Sequence, residues 1–248
     1  MSGHNKWSTI KHKKAAADAK RGKAFTRIIK ELTVAAKVGG GDPDGNPRLR
    51  TAIAEAKASN MPADNIKRAI QKGTGELPGV VYEDVVYEGY GPGGVAIYLE
   101  VLTDNKMRTT PEIRHLFTKH GGDLGQPNSV AWMFEKKGTF MIPASATSEE
   151  ALMDLVLEAG ADDLEREHDT FLVTAAPSAF GAVQDALEKA KIVPSESKLA
   201  MVPTNTVELD AKKAGQCLKL LEILEDHDDV QNVYANMTFD EASVAEEA

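Results

Sequence analysis

The sequence predicts a multi-domain α+β protein, in which an N-terminal helical bundle is followed by two α+β domains, one of them ferredoxin-like and inserted in the other. Three observations support this fold class. Apolar residues recur at helical spacing as far as Gly73, strand-like and helix-like segments alternate after it, and one later stretch has the order βαββαβ. A chain of 248 residues is long enough for two or three domains.

The distribution of charge separates the same regions. Residues 1–75 contain 16 Lys and Arg and six Asp and Glu, which gives a net charge of +10. The rest of the chain contains 13 Lys and Arg and 32 Asp and Glu, which gives a net charge of −19. Such a division indicates modules with different partners. The single cysteine, Cys217, can form no internal disulfide and lies among leucines, so we expect it to be buried.

The basic region is predicted to be a helical domain over residues 1–76. Residues 1–22 form a basic arm, disordered or a fraying helix, because the arm has no apolar face to bury. An amphipathic helix follows over 23–38. A second helix starts with Asn46 as its cap, and a third begins near Pro62.

The alternating part is predicted to contain one α+β domain in two pieces, residues 77–136 and 203–240. Its strands are expected at 85–87, 95–102, 130–135, 206–209 and 230–237, and its helices at 107–119 and 211–225. Residues 137–202 form the inserted ferredoxin-like domain. Its strands are expected at 139–142, 164–167, 171–174 and 195–202, and its helices at 149–159 and 179–189. Ser148 is expected to cap the first of these helices. Residues 241–248 are an acidic tail.

Short motifs along nearly the whole chain resemble those of the YebC family. They are Gly3–Lys14, Asp42-Pro43, Asn46–Arg50, Asn60–Pro62, Asp64–Ile66, Tyr87–Gly94, Thr103–Lys106 and Gly121–Gly125. Asn128 departs from the pattern, since the resemblance leads us to expect glycine there. The resemblance implies a helical domain and two α+β domains, one ferredoxin-like and inserted in the other. It also implies nucleic acid as a partner, because members are described as probable DNA-binding transcriptional regulators, mitochondrial relatives as translational activators, and bacterial relatives have been linked to the ribosome.

The basic region supplies the candidate nucleic-acid-binding residues. They are Lys6, Trp7, Lys11, His12, Lys13, Lys14, Lys20, Arg21, Lys23, Arg48 and Arg50. Cations that neutralise phosphates release condensed counterions, and a floppy arm can become ordered as it binds. Trp7 is suited either to stacking on a base or to anchoring the arm on protein. Arg48 and Arg50, with Lys67, Arg68 and Lys72, would extend the same surface, although ordinary solvated helix faces explain them equally well.

A second polar segment follows a predicted strand and opens a helix. Asn105, Lys106 and Arg108 in this segment are candidates for a contact with RNA or protein. Helix capping by Asp104 or Asn105 accounts for part of the pattern without any binding. The glycine-rich residues 89–94 lack the lysine and hydroxyl of a phosphate-binding loop, so we expect a hairpin turn.

The sequence contains no recognisable catalytic constellation. His115 and His120 are five residues apart, which does not place them on one helical face, and no paired cysteines are present. The run Asp226, His227, Asp228 and Asp229 favours a turn after a helix over a cation site. We therefore expect no enzymatic activity, catalytic residue, metal, cofactor or small-molecule substrate. The absence of an apolar leader or a long apolar run predicts a cytoplasmic protein without a membrane segment.

Two functional interpretations follow. The first is a non-enzymatic, DNA-binding transcriptional regulator, which the descriptions of the family favour. The alternative is a ribosome- or RNA-associated translation factor whose partner is ribosomal RNA. Two features favour this alternative. The sequence shows no evident recognition helix, and it contains a ferredoxin-like module of a kind common among RNA-binding proteins.

Overall fold

A computed structural model describes residues 19–240, with side chains from Lys23 onward. The helices are α1 (Ala19–Gly39), α2 (Pro47–Ala58), α3 (Ala63–Thr74), α4 (Lys106–Lys119), α5 (Glu149–Glu158), α6 (Phe180–Lys189) and α7 (Ala211–Glu225). The strands are β1 (Glu83–Tyr90), β2 (Ala96–Thr103), β3 (Asp123–Leu124), β4 (Phe134–Pro143), β5 (Ala161–Glu167), β6 (Thr170–Ala175), β7 (Glu196–Pro203), β8 (Val207–Glu208), β9 (Val230–Ala235) and β10 (Met237–Thr238). These elements confirm the predicted α+β class.

The chain forms two compact units. One contains the residues up to Trp132 together with those from Asn205 onward, and the other is Met133–Thr204. Each unit buries its own apolar side chains, and the first unit contains two separate cores, one among α1, α2 and α3 and one around β1, β2 and β9. The predicted acidic tail, 241–248, lies outside the described residues.

The three N-terminal helices are held together by caps and close backbone contacts. Asn46 caps α2 as predicted: its Oδ1 accepts from the Leu49 N–H at 3.1 Å, and its Nδ2 donates to the Ala35 carbonyl at 2.8 Å. The helix α1 passes so close to α3 that a Cβ on Gly73 would lie 2.3 Å from the Thr33 carbonyl oxygen. Position 73 therefore requires glycine for packing.

The sheet of the first unit is antiparallel, in the order β3-β1-β2-β9. Its inward side chains, including Ile97 and Leu99, share one core with Phe117 of α4 and Leu220 of α7. The predicted hairpin turn between β1 and β2 is confirmed by their pairing. The short strands β8 and β10 form a separate parallel pair. This sheet brings α4 and the end of α7 next to one another.

The second unit has the order β4-α5-β5-β6-α6-β7 and an antiparallel sheet in the order β5-β6-β4-β7. This is the predicted ferredoxin-like arrangement. Ser148 caps α5 by accepting from the Ala151 N–H at 3.3 Å.

One strand prediction was wrong. Instead of two strands at 130–135 and 139–142, the structure has the single strand β4, preceded by a 3₁₀ turn at Ala131–Met133. The charged residues 135–137 pair with β7 and do not form a break. Gly138 makes room for an aromatic ring, since a Cβ there would lie 2.6 Å from Cδ2 of Phe180. A glycine that fits a neighbouring ring is indistinguishable in sequence from a glycine in a turn.

Candidate nucleic-acid interface

The structure describes part of the predicted binding surface. Lys6, Trp7, Lys11, His12, Lys13 and Lys14 lie outside the described residues. Lys20 and Arg21 belong to the first turn of α1, which begins four residues before the predicted start of the helix. Lys23, Arg48 and Arg50 have described side chains, and their contacts can be compared with the predicted role.

One face of α1 contacts the end of α7. Lys23, Arg27 and Lys30 lie on this face at helical spacing. Lys23 forms an ion pair of 3.2 Å with Oδ1 of Asp226, and Arg27 donates to the carbonyl of Glu225. The last carbonyls of a helix have no partners within it and carry a partial negative charge. The cations of α1 therefore stabilise the C-terminal end of α7.

The centre of this contact is the buried carboxylate of Asp229. It accepts from Lys30 Nζ at 2.7 Å, from the Thr109 hydroxyl at 2.7 Å and from the Arg108 guanidinium at 2.6 Å. Burial alone would raise the pKa of Asp229, but the hydrogen bonds from Lys30, Thr109 and Arg108 outweigh it and hold the pKa well below its ordinary value. The charge of Asp229 joins α1, α4 and the turn after α7.

Arg48 bridges two carboxylates within the protein. Its Nε and Nη2 atoms donate to Glu31 at 2.6 and 2.9 Å, and Nη2 also donates to Asp84 at 3.0 Å. Arg50 donates to the carbonyls of Pro43 at 3.2 Å and Asp44 at 3.5 Å. Arg48 thus ties α2 to α1 and to the start of β1, with its charge already balanced.

The residues proposed for RNA or protein contact lie at the start of α4. Asn105 caps this helix, since its Oδ1 accepts from the Arg108 N–H at 3.1 Å. Lys106 pairs with Glu83 at 2.8 Å, and Arg108 pairs with Asp104 at 3.1 Å as well as with Asp229. The capping interpretation is confirmed, and both cations have carboxylate partners.

Five other cations of the helical domain form no ion pair with a described carboxylate. Lys37, Lys57, Lys67, Arg68 and Lys72 are exposed and make no ion pair with another described residue. Lys67 and Arg68 are adjacent on α3, and Lys37 and Lys72 line a cleft of about 330 Å³. Together with Arg50, which is exposed and bonds only backbone carbonyls, these five cations are the described part of the basic surface that is available to an external anion.

Three further observations bear on chemistry. Within residues 19–240, no group of three or more His, Cys, Asp or Glu side chains is placed to hold a metal ion. No helix in the same range is long and apolar enough to cross a membrane. Burial raises the pKa of the Cys217 thiol to about 12, so Cys217 is a packing residue without a reactive thiolate.

Sequence reasoning missed the residues that organise this unit. The run 226–229 was expected to be a turn, and it is one, but nothing in the run marks Asp229 as buried. Glu88 was also missed: its side chain is buried and accepts three backbone N–H groups, those of Asn128, Val130 and Ala131. The strand sequence gives no signal for this role, because the same strand also contains the exposed carboxylates Glu83 and Asp84.

Together the fold and its contacts define a mixed α+β protein in which ion pairs hold a basic helical domain against an α+β sheet. Residues 5–76 match the N-terminal domain of TACO1/YebC proteins, and residues 82–237 match the second and third domains of the same proteins. The chain belongs to the TACO1/YebC family, as its motifs indicated.

Similar proteins cover the chain almost from end to end. A probable transcriptional regulatory protein of Acidobacterium capsulatum is 58% identical over 100% of both chains. One from Koribacter versatilis is 57% identical, also over 100% of both chains. The crystal structure of a conserved hypothetical protein from Aquifex aeolicus matches with a TM-score of 0.84 and 46% identity, covering 90% of this chain and 93% of that one.

Proposed function

We propose that this protein is a non-enzymatic regulator of gene expression that binds the phosphate backbone of DNA through residues 1–76. The observation that carries the proposal is the division of the basic residues into two sets. One set, on the inner face of α1 and on Arg48, is neutralised within the protein. The other set faces outward without carboxylate partners, and anionic polymers are the partners that such a surface attracts.

The names of the relatives support a role in transcription. The proteins from Acidobacterium capsulatum and Koribacter versatilis are both called probable transcriptional regulatory proteins, and both match over the full length. Under this proposal the protein acts in the cytoplasm on nucleic acid and requires no cofactor or small-molecule substrate.

The outward cations suit phosphate better than base edges. The exposed face of α3 offers Lys67 and Arg68, while the amide of Gln71 on the same helix donates to Glu76 at 3.3 Å. Sequence reading in the major groove depends on several side chains that form paired hydrogen bonds with bases. We therefore infer binding with little sequence preference. This feature favours the second candidate, a translation factor that binds ribosomal RNA or the ribosome by shape and charge.

Charge reversal tests the proposal. In one variant Lys11, Lys13 and Lys14 are changed to Glu, and in a second Lys67 and Arg68 are changed to Glu. Both are expected to weaken binding to duplex DNA and to reduce its salt dependence, by about one unit of slope for each lost phosphate contact. The matched control reverses Lys189 and Lys191, which are exposed in the ferredoxin-like unit. Equal affinity of wild type and arm variant would refute the role of the arm.

Competition distinguishes DNA from RNA. If six to ten phosphates are neutralised, affinity for duplex DNA should fall about 10³–10⁵-fold between 50 and 200 mM salt. Binding to promoter and scrambled DNA should then differ little at physiological salt. A preference of several hundred-fold for the promoter would establish sequence-specific regulation. Co-sedimentation with ribosomes, without any preference among DNA sequences, would favour the translation factor.

A further inference from the structure

A cleft of the first unit lies beside the ends of α1 and α3 and the segment that leads into β1. Its volume is about 330 Å³, and its lining includes Thr33, Val34 and Lys37 of α1, Lys72 and Gly73 of α3, and residues 75 and 77–82. Val34 is 2% exposed and belongs to neither apolar core of the unit. A concave lining that is mainly apolar, with a few polar groups, is typical of a binding site.

The segment before β1 exposes apolar side chains at this cleft. Leu77, Val80 and Val81 all line it and are 36%, 52% and 61% exposed. Grouped exposed apolar side chains mark interaction surfaces. Bases stack on aromatic rings, but the aromatic residue of the described lining, Tyr82, is only partly exposed and has the Lys30 ammonium 5.5 Å from its ring centroid. The lining therefore suits the aliphatic side chains of a protein better than it suits bases.

The same segment offers unpaired main-chain groups. Gly79, Val80 and Val81 make no backbone hydrogen bond with any other described residue. The segment lies against the aliphatic stem of Lys72, since a Cβ on Gly79 would be 3.0 Å from the Lys72 Cβ. Free N–H and C=O groups in a segment that continues into a strand can pair with an added extended peptide.

Two lysines at the cleft lack a counter-charge. Lys37 and Lys72 are exposed and make no ion pair with another described residue. Acids from the adjoining elements each have a partner: Glu76 with Gln71 and Thr74, Glu83 with Lys106, and Asp84 with Arg48. The cleft thus combines apolar side chains with two cations that are available to an external carboxylate.

The nearest acids do not neutralise these lysines. The pKa of Glu83 is lowered first by its hydrogen bond from Lys106 and by the charge of Lys106, and last by the charge of Lys37. Lys106 is therefore the main partner of Glu83. Asp42 is exposed in the loop after α1, and its carboxylate accepts from the N–H of Asp44 at 3.0 Å. Lys37 remains available to a ligand.

We propose that this cleft docks an acidic, extended segment of a partner protein that carries apolar side chains between its carboxylates. Val80 and Val81 would bury the apolar side chains, and Lys37 and Lys72 would bind the carboxylates. The basic arm, residues 1–22, has the same sign of charge as these lysines, so charge complementarity excludes the arm as the occupant. The proposal goes beyond DNA binding and does not depend on it, because it needs neither the arm nor Lys67 and Arg68.

A peptide of defined chemistry tests the cleft. Fluorescence anisotropy of a fluorescein-labelled EVEVEVE peptide should show saturable binding to the full-length protein. The peptides ESESESE, which lacks apolar side chains, and KVKVKVK, which has the opposite charge, should bind about tenfold or more weakly. Absence of saturable binding by EVEVEVE, or equal binding of EVEVEVE and either control peptide, would overturn the proposal.

Substitutions at exposed positions test each component of the cleft. V80S/V81S should weaken binding of EVEVEVE about tenfold or more, because burial of the two valines is lost, and K37E/K72E should weaken it at least as much. The matched control, V193S/K189E/K191E, changes exposed residues of the second unit and should bind as wild type does. Thermal melting shows whether each variant folds. Wild-type affinity in either cleft variant would contradict the proposal.

Duplex DNA separates the two classes of anionic partner. V80S/V81S should leave the affinity for duplex DNA unchanged, since no phosphate contact is removed. A loss of DNA affinity as large as the loss of peptide affinity would identify a nucleic-acid site and overturn the proposal. Failure of the wild-type protein to bind duplex DNA, with peptide binding intact, would count against the proposed function alone.

Two further measurements identify other occupants. Sedimentation velocity would reveal a second copy in the cleft if V80S/V81S abolished self-association of the full chain. Deletion of residues 241–248 would reveal the chain's own acidic tail if it raised the affinity for EVEVEVE about tenfold. Either result would overturn the assignment to a partner protein, which predicts that V80S/V81S leaves self-association unchanged and that the deletion leaves peptide affinity unchanged.

Discussion

Lys30 and Asp229, 199 residues apart in the sequence, form a buried ion pair in which Nζ lies 2.7 Å from Oδ1. Their side chains are only 8% and 4% exposed. The pair links the first described helix to the turn before β9. Arg108 and Thr109 bind the other carboxylate oxygen, so neither oxygen of Asp229 lacks a donor. The basic character of α1 thus has a structural role apart from any nucleic acid.

Removal of the charge at Asp229 should destabilise the protein strongly. D229N leaves the ammonium of Lys30 buried without a counter-charge, which costs about 3–5 kcal/mol in comparable sites. Urea denaturation of the full chain measures the difference in free energy of unfolding. The control is D226N, because the Asp226 side chain is 62% exposed and its pair with Lys23 should contribute no more than about 1 kcal/mol. Similar losses in the two variants would contradict the importance of burial.

The same carboxylate should make stability depend on pH. Its pKa is lower in the folded protein than in the unfolded chain, where an Asp titrates near about 3.9. Its contribution is therefore complete above that unfolded value and is lost as the pH falls toward the folded pKa. The difference in free energy of unfolding between wild type and D229N should be largest near pH 7 and should shrink below about pH 4. If the difference instead grows as the pH falls, the pKa of Asp229 is not lowered by folding.

Packing between α1 and α3 predicts opposite effects for two glycines. G73A places a methyl group 2.3 Å from the Thr33 carbonyl, so it should separate the helices and destabilise the protein by about 1–3 kcal/mol. In α7, a Cβ on Gly215 would meet nothing within 4 Å, and G215A should stabilise by up to about 1 kcal/mol through helix propensity. Thermal melting of both variants measures the effects. Equal shifts in Tm would refute the close contact of α1 with α3.

Asn128 occupies a left-handed backbone conformation, with φ of 66°. This geometry explains why the family resemblance leads us to expect glycine there, since glycine and asparagine tolerate it best. N128G should therefore change stability little, whereas N128A should cost about 1–2 kcal/mol. Urea denaturation of the two variants provides the comparison. A larger loss for glycine than for alanine would indicate that the asparagine side chain itself is needed.

Local signals were sufficient to predict much of the fold. The position of Asn46 and Ser148 before helical patterns predicts that both are caps, and the side-chain oxygen of each accepts a backbone N–H as expected. The order βαββαβ also followed from local periodicity. The division of β4 into two predicted strands failed because the charged residues 135–137 pair with β7, a distant partner that local sequence does not reveal.

The sequence predicts the binding surface less well than the fold, because residues distant in the sequence decide which cations are neutralised. Charge alone cannot distinguish Arg48, which binds Glu31 and Asp84, from Arg68, which pairs with no described residue. The partners of Arg48 lie 17 and 36 residues away, so they are visible only after folding.

The pairing of β2 with β9 also imposes an order on biosynthesis. Ile97 pairs with Ala235, so the sheet cannot be completed until residue 235 has left the ribosome. The intervening unit, Met133–Thr204, contains all of its own strand partners and can fold earlier during synthesis. Until the last strand emerges, Lys30 has no access to Asp229 and the apolar side of β2 lacks α7. A nascent chain stalled before residue 210 would therefore expose this incomplete core to chaperones and proteases.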